Sequence, residues 1–215
     1  TIDYLEGDVE LTDVPVLVVL DSTRADTTRL SAASLRFLDS SGNLLAHEVE
    51  PLGDGGLAAW VKIPTLAAGS TPRITAYYGS DTATDAAQPA EVWSSSYAGV
   101  WHLTGDPTLG VPDSTGNGNN GTVTGGMTNT SRAAAQIGDG LLFDGVDDFV
   151  EIPNADSLDI TGGTITLSAW IRMTNLQTGD NGVIIKSNGS QYNYQLGVEL
   201  EQTGNFRVRT DIPVD

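Results

Sequence analysis

Apolar side chains in this sequence recur at every second position in runs of strand length, and clusters of Gly, Asn, Asp, Ser and Thr separate the runs. The pattern is cleanest at residues 164–173 (TITLSAWIRM), where Ile165, Leu167, Ala169 and Ile171 fall on one face. A period of two builds sheets, because successive side chains of a strand point to opposite faces. No long stretch carries the 3.6-residue period of an amphipathic helix. The pattern therefore predicts an all-β chain, and strands at this spacing indicate a sandwich or jelly roll.

Residues 14–20 (VPVLVVL) form a continuous apolar run, as in a strand buried on both faces. The run is far shorter than the roughly 18 residues that span a bilayer. Residues 35–39 and 44–50 flank a Ser/Gly/Asn loop and read as a β-hairpin. A strand over 57–63 is expected to stop at Pro64, and another covers 73–79. Only residues 29–34 invite a helical turn. Residues 80–97 are poor in large apolar side chains and are expected to connect two domains, with Val92 and Trp93 as an anchor. Further strands are expected at 98–103, 141–144, 149–152, 165–173, 183–186, 192–200 and 206–209. The expected architecture is two tandem β-sandwich, jelly-roll-like domains, 1–93 and 98–215.

Charge narrows the function. The chain of 215 residues carries 28 acidic and 10 basic side chains, a net of −18. A field of that sign repels nucleic acid and anionic lipid, since both are bound through Lys and Arg. No nucleic-acid partner and no membrane insertion of this segment are expected. There is no cysteine, which excludes disulfides, thiolate metal sites and cysteine nucleophiles.

Two families are visible in particular segments. VPVLVVL (14–20), LRFLDSSGNLLAHEVE (35–50), AAWVKIPTLAAG (58–69) and AYYGS (76–80) together resemble a prokaryotic domain of unknown function found in surface and secreted proteins. The resemblance covers about residues 1–93 and implies a setting rather than a chemistry. VWHL (100–103), DSTGNGNNGT (113–122), GLLFDGVDDFVEI (140–152) and TITLSAWIRM (164–173) resemble the laminin-G-like, concanavalin A-like jelly roll. That likeness implies glycan binding, often with calcium. Such domains continue through later strands, with segments of the WHHVAVTYDG and LYVDG types. Neither occurs before Asp215, so the second sandwich is expected to be incomplete, with an open sheet edge that favours self-association.

Two groups of residues offer binding chemistry. Asp113, Asn117, Asn119 and Asn120 sit in one Gly-punctuated loop, and Asp144, Asp147 and Asp148 in another. Calcium takes six to eight hard oxygens from irregular backbone of this kind. The same residue types also stabilise turns through their own hydrogen bonds. Adjacent Asp147 and Asp148 in a regular strand would face opposite ways, leaving one as a ligand. For glycans, Tyr192, Asn193, Tyr194, Gln195, Asn181 and Asn188 combine aromatic rings with amides; the tyrosines would equally cover a core.

Catalysis finds less support. Glu6, Asp8 and Glu10 come near the E-x-D-x-x-E pattern of some concanavalin A-like enzymes but lie in the first domain, and Glu199 and Glu201 share one face without a third acid, whereas hydrolysis needs two carboxylates at a fixed separation. His47 and His102 lie at no spacing of a triad or zinc motif and are expected to serve packing or hydrogen bonding. The expectation is a non-catalytic recognition or adhesion module, extracellular, at the cell surface or periplasmic. Its partner would be a glycan or a cell-surface component, with calcium as the one cofactor in view. Two alternatives stand beside it: the periplasmic domain of an ExbB/TolQ-type proton-channel protein, and a filament subunit that exchanges strands.

Overall fold

The computed structural model describes residues 2, 9–160, 164–174, 179–187, 192–200 and 206–211. The chain divides into two compact units, Thr1–Asp159 and Ile160–Asp215. The all-β expectation holds. Helix is limited to one four-residue turn and five short 3-10 turns among the described residues.

The first unit opens with five strands: β1 (Leu11–Leu20), β2 (Arg36–Leu38), β3 (His47–Pro51), β4 (Leu57–Leu66) and β5 (Thr75–Tyr77). β1, β4 and β3 form one antiparallel sheet in that order, and β2 pairs with β5 in a second. Alternation decides which side chains go inward. Val14, Val16 and Val18 of β1 stand opposite Ile63, Val61 and Ala59 of β4, and all join one apolar cluster. Leu35 and Phe37 from the β2 side complete it, with Ile74 and Ala76 packed against them. Two sheets thus contribute to one core, a sandwich-like arrangement.

Three local expectations change. Residues 35–39 and 44–50 do turn back on each other, through the Leu38–Leu44 bridge and the Asp39 N–H to Asn43 carbonyl bond. The strands then part, β2 to β5 and β3 to β4, so the turn is a corner between sheets rather than a hairpin. β4 does not stop at Pro64 but runs to Leu66. The missing N–H of Pro64 falls at a gap in the ladder, across from Asp13, which sits in the left-handed region at φ 51. Pro15 is accommodated because β1 is an edge strand. The helical turn expected at 29–34 appears as two 3-10 turns, Thr27–Arg29 and Ala32–Ser34.

The expected connection at 80–97 lies inside the first unit. Its α1 (Pro89–Val92) and the following Trp93 bury Val92 and the indole. Beyond it come four three-residue strands, β6 (Thr122–Thr124), β7 (Arg132–Ala134), β8 (Asp139–Leu141) and β9 (Phe149–Glu151). They pair only as β6–β9 and β7–β8. Residues 98–103, expected as a strand, are irregular, and Leu103 lies in the left-handed region at φ 58. Gly121 sits where a Cβ would come within 2.6 Å of Ile152 and 2.7 Å of Val150, so a larger residue there would force those side chains to shift.

The second unit holds one antiparallel sheet, β10 (Gly179–Ser187), β11 (Tyr192–Leu200) and β12 (Phe206–Asp211), in that order. Residues 165–173 are not a strand. Ile165 and Leu167 are half-buried, but Trp170 is 77% exposed. An alternating pattern becomes a strand only where a neighbour supplies the ladder, and among the described residues none pairs with this segment.

Phe37, fully buried at the meeting of the two sheets, gives a test of this core. Phe37→Ala should lower the free energy of unfolding by about 3–5 kcal/mol in denaturant titrations. A loss below about 1 kcal/mol would contradict the packing described.

Candidate functional site

The face of β3 turned away from the apolar cluster carries Glu48 and Glu50, two residues apart and so on the same side of the strand. Trp60 of β4 stands directly opposite Glu48. Carboxylates on a covered sheet face need partners, because an unpaired buried charge costs several kcal/mol. The partners come from a wide span of sequence. Glu48 accepts hydrogen bonds from the Trp93 indole (3.0 Å), from Nε2 of His102 (3.0 Å) and from the Ser114 hydroxyl (2.6 Å). Glu50 accepts from the Trp60 indole (3.2 Å), and its Oε1 lies 3.0 Å from Nδ1 of His102.

His102 therefore lies between the two carboxylates: Nε2 makes the hydrogen bond to Glu48, while Nδ1 faces Glu50 Oε1 at ion-pair distance without the geometry of a hydrogen bond. Only the doubly protonated ring carries the positive charge that both carboxylates attract. The ring lies between two indoles, its centroid 6.3 Å from that of Trp60 and 5.9 Å from that of Trp93. Burial alone would lower the basicity of His102, but the hydrogen bond to Glu48 and the charges of Glu48 and Glu50 outweigh it and raise its pKa. Burial works equally against ionised Glu48. There His102, Ser114 and Trp93 prevail, and the pKa is lowered. At Glu50 burial prevails over His102 and Trp60, and neighbouring Glu48 adds repulsion, so the pKa is raised. Beside this cluster is a pocket of about 80 Å³ bounded in part by Glu48, Glu50, His102, Thr104 and Ser114, enough for two or three ordered waters.

His47 has a different role. It is fully buried, packs edge-on to Phe37 at 5.4 Å and bonds the Leu45 carbonyl through Nδ1 at 3.1 Å. Packing and one hydrogen bond account for part of it, while Nε2 is buried without a hydrogen-bond partner.

The loop expected to bind calcium through Asp113 is held by that residue from within. Asp113 Oδ1 accepts from the backbone N–H of Val100 and Thr115, and Oδ2 accepts from the Thr115 hydroxyl and the Asn119 N–H. Asn117 donates to the carbonyls of Tyr97 and Ala98, Asn119 to Ala98 and Ser157, and the Asn120 side chain accepts from the Asp113 N–H. These residues use their polar atoms to fasten residues 97–100 to the loop. An ion at Asp113 would have to displace several of those bonds.

Asp144, Asp147 and Asp148 do come together, each with an oxygen within 4.8 Å of the others, and Asp113 is not among them. They occupy a bend rather than a strand, which is why adjacent Asp147 and Asp148 can converge. Hydrogen bonds from the N–H groups of Val146 and Asp147 lower the pKa of Asp144.

In the second unit the glycan candidates separate. Tyr194 and Gln195 are buried, whereas Asn193 is exposed. Asn181 donates to the Val198 carbonyl. Tyr192 lies in β11, and Asn188 falls outside the described residues. Buried Tyr194 and exposed Asn193 do not form one surface.

Residues 31–100 match a family model described as Domain of unknown function (DUF2341). The chain is similar to that family over this stretch, in keeping with the first resemblance drawn from its sequence. No curated protein and no solved structure matches the chain. The DUF2341-like stretch contains Glu48, Glu50, Trp60 and Trp93, while their partners His102 and Ser114 lie just beyond it.

Asp113 gives a direct check on the loop. Asp113→Ala leaves the N–H groups of Val100, Thr115 and Asn119 without their acceptor. Stability should fall by at least about 2 kcal/mol, by the same amount with calcium or with chelator. A loss that appears only when calcium is present in the wild-type sample would assign the loop to the ion.

Proposed function

We propose that this chain is a non-catalytic recognition module of the extracellular or periplasmic face of a prokaryotic cell, in which a DUF2341-like sandwich carries a laminin-G-like segment. One observation carries the reading. In the ionisable cluster Glu48–His102–Glu50, His102 is hydrogen-bonded to Glu48 and ion-paired with Glu50, and Trp60, Trp93 and Ser114 donate to the carboxylates. Groups engaged in this way act as architecture. The adjoining space of about 80 Å³ is far below the roughly 300 Å³ at which ligand pockets begin.

Recognition is then a property of exposed loops. The net charge of −18 disfavours anionic partners and favours neutral or cationic ones. A neutral glycan is the partner class that the laminin-G-like resemblance implies. Calcium, where it assists, belongs at Asp144, Asp147 and Asp148. Asp113 is occupied by its own loop. Three carboxylates supply part of a calcium shell, and backbone and water oxygens supply the rest.

The test is to present the whole chain to an array of neutral glycans, with calcium and with chelator, while assaying the same sugars for cleavage. Binding is expected without release of new reducing ends, and Asp147→Asn should weaken any calcium-dependent part about tenfold or more. Cleavage that disappears in Glu48→Gln or Glu50→Gln would overturn the reading and make the cluster catalytic.

A further inference from the structure

We propose that His102 is a proton-operated latch: its charged ring, hydrogen-bonded to Glu48 through Nε2 and paired with the Glu50 carboxylate across from Nδ1, fastens residues 97–121 onto the outer face of β3 and β4 and releases them when it loses a proton. The geometry carries this. Both ring nitrogens stand 3.0 Å from a carboxylate oxygen. Loss of the proton removes the positive charge between two carboxylates, in a site where the His102 side chain is 15% exposed and those of Glu48 and Glu50 are 12% and 5%. Repulsion there is screened little by solvent.

The groups facing the ring are few. β3 presents Glu48 and Glu50, β4 presents Trp60, and Trp93 follows α1. Ser114 reaches Glu48 from the loop. Among the described residues, no further charged group forms an ion pair with His102. Loss of the proton therefore finds no compensating charge.

What the latch holds is also defined. Residues 97–121 make no strand ladder with β3 or β4. The segment is closed on itself through Asp113, and it meets Glu48 through His102 and Ser114. Leu103, next to His102, is one of two non-glycine residues in the left-handed region among the described residues. That conformation is strained for a leucine and persists where the surroundings impose it. Opening of the latch lets it relax.

The direction follows from linkage. The folded-state pKa of His102 is raised above its ordinary 6.5. Its contribution is complete below about 6.5 and is lost as pH rises through the raised value. On the acid side Glu50, whose pKa burial raises, protonates first and sets the limit, and Glu48, with its lowered pKa, follows.

Two readouts on the full chain test the proposal. Nitrogen-15 spectra of the imidazole should show both His102 nitrogens protonated at pH 6.5 and a midpoint above 6.5. Amide exchange at residues 100 and 113–120, corrected for its intrinsic pH dependence, should report opening that rises about tenfold per pH unit from about 6.5 to that midpoint and then levels off. His102→Gln should open to the plateau level at all pH values. Should that variant fail to fold, Glu50→Gln decides. It removes one of the two charges that hold the imidazolium and leaves the hydrogen bond to Glu48, so the pH dependence should shrink while the segment stays closed. A His102 ring found as a single neutral tautomer at pH 6.5 would overturn the proposal. So would pH-independent opening in the wild type, or an undiminished pH response in Glu50→Gln.

Discussion

A strand that places two carboxylates on one covered face obliges the rest of the chain to answer them. Glu48 and Glu50 are that obligation. A single unpaired buried carboxylate costs several kcal/mol, a large share of the 5–15 kcal/mol by which domains are usually stable. The answer comes from Trp60 on the neighbouring strand, Trp93 after α1, His102 in irregular chain and Ser114 in a loop. The DUF2341-like stretch supplies only the two indoles to these carboxylates, the counter-charge comes from His102 beyond it, and the residues that follow it are folded into the same unit.

This explains how a unit with so little sheet in its later part holds together. β6–β9 and β7–β8 are two-stranded ladders of three residues a strand, and two-stranded ladders are marginal alone. Side-chain staples do what ladders do elsewhere. Asp113 gathers three backbone N–H groups, and Asn117 and Asn119 hold residues 97–98. The family-like string DSTGNGNNGT is in this light a fastening.

Several strands were legible because their patterns are local: VPVLVVL and LAAWVKI lie in β1 and β4, and in the second unit 192–200 is β11. Partners were not legible. Residues 35–50 read as a hairpin, yet β2 and β3 join different sheets, since pairing depends on which layer covers the core. TITLSAWIRM alternates well but lacks a ladder. The His102–Glu48 contact spans 54 residues and follows no motif. One signal did point to it: HEVE puts two acids on one face of an apolar strand in a chain with only 10 Lys and Arg and two histidines, so a histidine beside a tryptophan was a ready counter-charge.

The central claim is that the carboxylates of β3 and the segment bearing His102 form one folding unit. A double-mutant cycle on Glu48→Ala and His102→Ala, read by denaturant unfolding of the full chain, tests it most directly. The account gives a coupling of at least about 1 kcal/mol in a single cooperative transition. Additive effects within about 0.3 kcal/mol, or separate transitions for the sandwich and the segment after it, would contradict it.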